Sequence, residues 1–164
     1  MILTYVRNKH VYATEPENNL LLAYATSEET FFSARVEVTV KLPDLELVEI
    51  LGKIKRSPFT RCQEAASVLP RAIGLRIGPG IIKLVHNLVG GTKGCPQLAN
   101  LILECIDVVI LHFTTEPLRE ILKKEGEEQI IAYQEFLRQN PRLFNSCVAF
   151  APDSPLTKGI KEDL

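Results

Sequence analysis

Arg35-Val36-Glu37-Val38-Thr39-Val40-Lys41-Leu42 is the stretch on which the fold turns. Successive side chains of an extended chain point to opposite faces, so the valines and Leu42 share one side, with Arg35, Glu37, Thr39 and Lys41 on the other. Such alternation predicts a strand with one face buried and one wet. Pro43-Asp44 supplies a turn, and Leu45 to Lys55 can return as an antiparallel partner. Working towards the N-terminus, Asn19 to Thr26 reads as another strand, and residues 2–7 and 10–14 as a first hairpin about Asn8-Lys9. The expectation is an antiparallel sheet of roughly three to five strands, polar on one face and covered on the other.

Past Pro58 the period becomes helical. A short helix is expected from Thr60 to about Leu69, stopped by Pro70, and a second from about Pro79 to Val89, ended by Gly90-Gly91. A third begins at Pro96, where Leu98, Leu101, Ile102, Cys105, Ile106, Val109, Ile110 and Phe113 recur at three- and four-residue steps. Pro117 suits the first position of a fourth, which runs to about Gln139, weakened at Gly126. Strands first and helices afterwards predict an α+β fold, with about four helices packed on one sheet face. At 164 residues a single domain over residues 1–164 is expected: strands over 1–57, helices over 58–140 and a frayed tail over 154–164.

Hydrophobic residues at 46% and charged residues at 24% are globular proportions. No apolar run reaches the roughly 20 residues of a membrane span, and Met1 to Arg7 lacks the layout of a secretory signal. The expected setting is the cytoplasm, without membrane contact. A net charge of -1 argues against nucleic acid as the partner. The charge is unevenly placed, however. Residues 51–100 hold Lys53, Lys55, Arg56, Arg61, Arg71, Arg76, Lys83 and Lys93 against Glu64 alone, a net +7 that leaves -8 elsewhere. That segment is a candidate surface for an acidic protein partner or a small anion. An exposed sheet edge, which needs covering, makes a homodimer a second expectation.

Six of the nine glycines lie between Gly74 and Gly94, in Gly74-Leu75-Arg76-Ile77-Gly78-Pro79-Gly80 and in Gly90-Gly91-Thr92-Lys93-Gly94-Cys95-Pro96. Neither cluster has the spacing of a Walker loop or of a dinucleotide fingerprint. Gly78, Gly80, Gly90 and Gly91, with Arg61, Arg76 and Lys93, are the candidate cofactor-binding residues, since close backbone approach and positive charge suit an anionic group. Cys95 immediately precedes Pro96 and so occupies the expected N-cap of the long apolar helix. Unpaired N–H groups, the helix dipole and Lys93 favour a thiolate there. If the protein is an enzyme, Cys95 is the candidate nucleophile; the sequence leaves open whether it is one. Cys62, beside Arg61, sits similarly at the start of the first helix. Cys62, Cys95 and Cys147 are the candidate metal ligands, and Cys105 falls on the apolar stripe and reads as core. There is no CxxC, no HExxH and no serine–histidine–acid arrangement, so four irregular cysteines read as reduced thiols. His86 reads as a surface residue, and His112 as the end of the third helix.

The two glycine clusters, with Gln97-Leu98 after the second, resemble those of a bacterial family known as domain of unknown function 2889. The resemblance extends from about Val36 through the Pro58–Ala66 stretch and Cys95 into the third helix. A second resemblance rests on element order. NifU/IscU-type iron–sulphur scaffold proteins also place an antiparallel sheet before helices, with one ligand cysteine after the last strand and another opening a later helix. Arg61-Cys62-Gln63-Glu64-Ala65-Ala66 is similar to the former and Gly94-Cys95-Pro96-Gln97-Leu98-Ala99 to the latter. The chain departs from that pattern in having no cysteine before Cys62. This second resemblance implies an iron–sulphur cluster or another thiolate-bound metal as the cofactor, with remaining ligands from Cys147, a histidine or a second subunit. Three functions follow: a cysteine-based cofactor or metal protein, a thiol enzyme using Cys95, and a non-catalytic binding or assembly protein with a basic partner-binding face.

Overall fold

The structure is a computed structural model that describes residue 2 and residues 4–15 and 19–160. Four strands, β1 (Arg7–Thr14), β2 (Leu20–Glu29), β3 (Ser33–Lys41) and β4 (Glu46–Arg56), form an antiparallel meander in the order β1-β2-β3-β4. The alternation in β3 has the expected consequence: Val36, Val38 and Val40 are fully buried, while Arg35 and Lys41 are exposed. Opposite them, Ala25 pairs with Val36 and Ala23 with Val38, so small side chains of β2 sit beside branched ones of β3 on the covered face. The open face carries Tyr12 stacked on Tyr24 at 5.1 Å between ring centres.

A 3₁₀ segment (Thr60–Ala72) follows the sheet, then α1 (Ile81–Val89), α2 (Pro96–Leu122) and α3 (Gly126–Gln139). Val68, Leu69 and Ala72 of the 3₁₀ segment, Val85 and Val89 of α1, and Leu98, Leu101, Ile102, Cys105 and Val109 of α2 close one core with the inward residues of the sheet. This is the α+β arrangement, with helices on one sheet face. The chain divides into two compact units, Met1–His112 and Phe113–Leu164. The sheet and its core belong to the first.

Four boundaries differ from expectation. Arg7–Thr14 is one continuous strand, paired with β2 from Arg7↔Glu29 to Thr14↔Leu22, so Asn8-Lys9 is not a turn. The alternation runs straight through it, with Lys9 reaching Glu104 of α2 and Val11 and Ala13 packed on the core. The first helix is a succession of 3₁₀ turns that continues past Pro70 to Ala72. A proline forfeits a single donor, while the flanking Leu69 and Ala72 are anchored in the core. Pro117 lies inside α2 rather than opening a helix, which also places His112 mid-helix with Glu15 3.6 Å away. The break comes instead at 123–125, where Glu125 is extended and Gly126 has φ +57°. Finally, Ser154–Ile160, expected to fray, is a set of turns. There Thr157 Oγ1 donates to the carbonyls of Ala151 at 2.6 Å and Ser154 at 2.9 Å, and Ile160 is buried. Residues 161–164 of that tail lie outside the described residues.

Length and composition alone would let α2 cross a membrane, at mean hydropathy 1.6 over an 18-residue window. Its Leu98-to-Val109 stripe is instead packed against the sheet, as in the core helix of a layered fold.

Candidate functional site

Cys62 is placed by the first turn of the 3₁₀ segment, its N–H donating to the carbonyl of Phe59 at 3.0 Å. The side chain is half-buried and packs on the core together with Ala65. Arg61, one residue earlier, stands in solvent with 91% of its side chain exposed and, among the described residues, has only Glu64, at 3.7 Å, as an ionic partner.

The facing wall is the loop between α1 and α2. It doubles back over one 3₁₀ turn, Gly91–Lys93, and closes with the Cys95 N–H donating to the Val89 carbonyl at 2.8 Å. Gly94 makes that closure possible. A Cβ there would overlap the Val89 carbonyl oxygen, so no other residue fits without moving the loop. Cys95 then caps α2 in the expected position, its carbonyl accepting from the Ala99 N–H at 3.0 Å.

Between these walls lies a groove of about 540 Å³, lined by Arg61, Cys62, Glu64, Ala65, Ser67, Thr92, Lys93 and Gly94. The fold thus joins two basic side chains, a thiol, two hydroxyls and the Glu64 carboxylate from segments about 30 residues apart in sequence. The groove can offer an anion two positive charges and the Thr92 hydroxyl, with a thiol alongside.

The other expected site residues are distributed as follows. Cys95 directly follows the lining residue Gly94, but its half-buried side chain packs on the core and does not line the groove. Gly90 and Gly91 shape the loop behind the wall, whereas Gly78 and Gly80 lead into α1 away from it. Arg76 is at the sheet edge. The strap Gly74–Ile77 exchanges backbone hydrogen bonds with Leu45 and Leu47, and Arg76 Nη2 lies 3.9 Å from Glu46. Cys147 is exposed and belongs to the second compact unit. Cys105 is core, as expected. Burial pushes its thiol up, Glu104 and Glu37 add to the effect, and its Sγ lies 3.8 Å from the Val36 carbonyl oxygen. Ser67 and Thr92 were not singled out from the sequence, because no spacing rule links residues on opposing walls.

Among the described residues, no three His, Cys, Asp or Glu side chains gather to hold a metal ion. Cys62 and Cys95 would offer two donors where a thiolate-held zinc or iron–sulphur centre uses four.

A second polar cluster surrounds Glu29, whose side chain is 3% exposed. It accepts from Arg7 Nε at 2.8 Å, from Ser27 Oγ at 2.9 Å and from the Tyr5 hydroxyl, while Arg56 Nη2 donates to its backbone carbonyl at 2.7 Å. Burial would raise its carboxyl, but the hydrogen bonds from Tyr5, Arg7 and Ser27 outweigh it and hold the group below its ordinary value. Every partner is already engaged and no described cavity opens there, so the cluster ties β1 to the β2–β3 turn.

Neither any curated protein nor any solved structure matches the chain. A family model described as "Protein of unknown function (DUF2889)" matches residues 8–111, which takes in the sheet, both walls of the groove and the packed part of α2. The chain therefore belongs to the DUF2889 family.

Proposed function

We propose that this is a binding protein that holds an anionic group in the groove between the 3₁₀ segment and Gly91–Gly94, with the Cys62 thiol beside it. The supporting observation is the convergence of Arg61, Cys62, Thr92 and Lys93 on that groove. Arg61's exposed pair with Glu64 contributes little and leaves the guanidinium available. Of the basic residues of 51–100, Arg61 and Lys93 line the groove against Glu64 alone, which favours an acidic group on a protein or a small molecule. Four free cysteines are in keeping with a reducing, cytoplasmic setting.

Paired alkylating probes test this reading in a chain carrying Cys95→Ser and Cys147→Ser. Iodoacetate is anionic and iodoacetamide neutral, so their rate ratio at Cys62 reports the field in the groove independently of how much thiolate is present. Arg61→Gln with Lys93→Gln should lower the iodoacetate rate several-fold more than the iodoacetamide rate. A ratio unmoved by the double substitution would sink the proposal.

A second reading is a thiolate-held metal or iron–sulphur centre, supported by Cys62 and Cys95 approaching the same loop. This chain provides half of a four-ligand set, so the reading requires ligands from a second chain. Metal and sulphide analysis of protein purified without oxygen decides it. Iron and sulphide lost together in Cys62→Ser support the centre, and a colourless protein after attempted reconstitution removes it. As a thiol enzyme, Cys95 would need a base, and His86 does not line the groove.

A further inference from the structure

We propose, building on the anion-binding reading of the Cys62 groove, that its ligand is a small disulfide whose halves carry both carboxylate and ammonium groups, and that Cys62 exchanges with it. Cysteine-containing amino acids and short peptides form such disulfides. The lining sets Glu64 beside Arg61 and Lys93, so charges of both signs face one space. A bare anion has no use for that carboxylate, whereas a ligand that also bears an ammonium group meets it with a complementary charge. All three groups are open to such a ligand. The exposed pair of Arg61 with Glu64, at 3.7 Å, is weak, and Lys93 makes no ion pair among the described residues. Thr92 adds a hydroxyl from the same wall as Lys93.

Cys62 gives this charge pattern a chemical use. The half-buried side chain packs on the core and also lines the groove, so a disulfide seated between the charged groups lies beside the thiol. At about 540 Å³ the groove falls within the roughly 300–1,000 Å³ of small-molecule sites. Exchange needs a thiolate and a reachable disulfide but no separate base, which suits a lining that contains no histidine among the described residues. The Cys62 thiolate attacks one sulphur of the ligand, and an S–S bond to the protein forms as the ligand's own S–S bond breaks. The other half leaves as a thiolate and takes up the proton that Cys62 gave up. The protein thiol is thereby oxidised, one half of the ligand is reduced, and a second small thiol reverses the step.

The test follows mixed-disulfide formation by intact mass spectrometry in two full-length chains. One carries Cys95→Ser and Cys147→Ser; the other carries Cys62→Ser and Cys95→Ser, keeping the exposed Cys147 as a reference thiol. Three probes are compared: glutathione disulfide, with carboxylates and ammonium groups; dithiodiglycolate, with carboxylates alone and the same net charge; and neutral hydroxyethyl disulfide. Measured against the neutral probe, glutathione disulfide should be preferred about tenfold more at Cys62 than at Cys147. Glu64→Gln should lower the glutathione disulfide to dithiodiglycolate rate ratio at Cys62 several-fold, and because each probe keeps its own leaving group, that change reads the groove. A preference at Cys62 no greater than at Cys147, or a ratio unmoved by Glu64→Gln, overturns the proposal. If the iodoacetate to iodoacetamide ratio still responds to Arg61→Gln with Lys93→Gln, the groove remains an anion site and the disulfide assignment alone falls. If that ratio is also unmoved, both fall together.

Discussion

Glu29 stays charged while buried because three donors replace its water. Its folded-state value is depressed below 4.5, so it contributes stability that is full above that pH and is lost as the pH falls through the folded value. Glu29→Gln should therefore destabilise the protein clearly at pH 7 and much less at an acid pH below the folded-state value, where the native carboxyl is neutral as well. Urea unfolding at the two pH values checks this, and an equal loss at both would show that the charge plays no part. None of this cluster was visible in the sequence, because Tyr5, Arg7 and Glu29 converge only through the pairing of β1 with β2. The same holds for the thiols. The position of Cys95 as the cap of α2 was legible from Pro96 and the apolar stripe beyond it. That Cys62, rather than Cys95, lines the groove depends on how the 3₁₀ segment meets the α1–α2 loop.

Between elements, the 3₁₀ segment approaches β4 closely at Gly52. A Cβ at that position would overlap the tip of Leu69 and come within 3.1 Å of the Arg35 carbonyl oxygen. Leu69→Ala, at a position 1% exposed, should cost about 2–5 kcal/mol, as truncation of a buried leucine does. Gly52→Ala should cost about 1–3 kcal/mol through overpacking. Because the added methyl and the lost isopropyl group compete for one space, the double variant should cost less than the sum. Additivity within about 0.5 kcal/mol in urea unfolding would mean that the two residues do not share that space. Strand and helix identities were readable from periodicity, since β3 alternates without interruption and α2 keeps its stripe over three turns. Boundaries at prolines were not. A proline costs a helix one hydrogen bond and some strain locally, and packing of the residues around it can outweigh both, as at Pro70.

At the scale of the whole molecule, burial is concentrated in Met1–His112, whose core draws on all four strands, the 3₁₀ segment, α1 and the first turns of α2. Amide exchange should accordingly be slowest in β2, β3 and residues 98–109. It should be distinctly faster in α3 and residues 141–150, where few apolar side chains are buried. Hydrogen exchange read by mass spectrometry checks this ordering. Uniform protection across both units would contradict it. The family match ends at residue 111, next to the unit boundary, so the groove at Cys62 belongs to the shared part. By itself the sequence determined the α+β class, the strand pairing around Arg35–Leu42, the apolar stripe of α2 and the basic middle third. Each of these follows from side-chain period or local charge, which are properties of neighbours along the chain. Only the tertiary structure decided which basic residues and which thiol share a groove, where the long helix breaks, and that the chain forms two units. Those outcomes rest on contacts between residues tens of positions apart, for which linear spacing carries no signal.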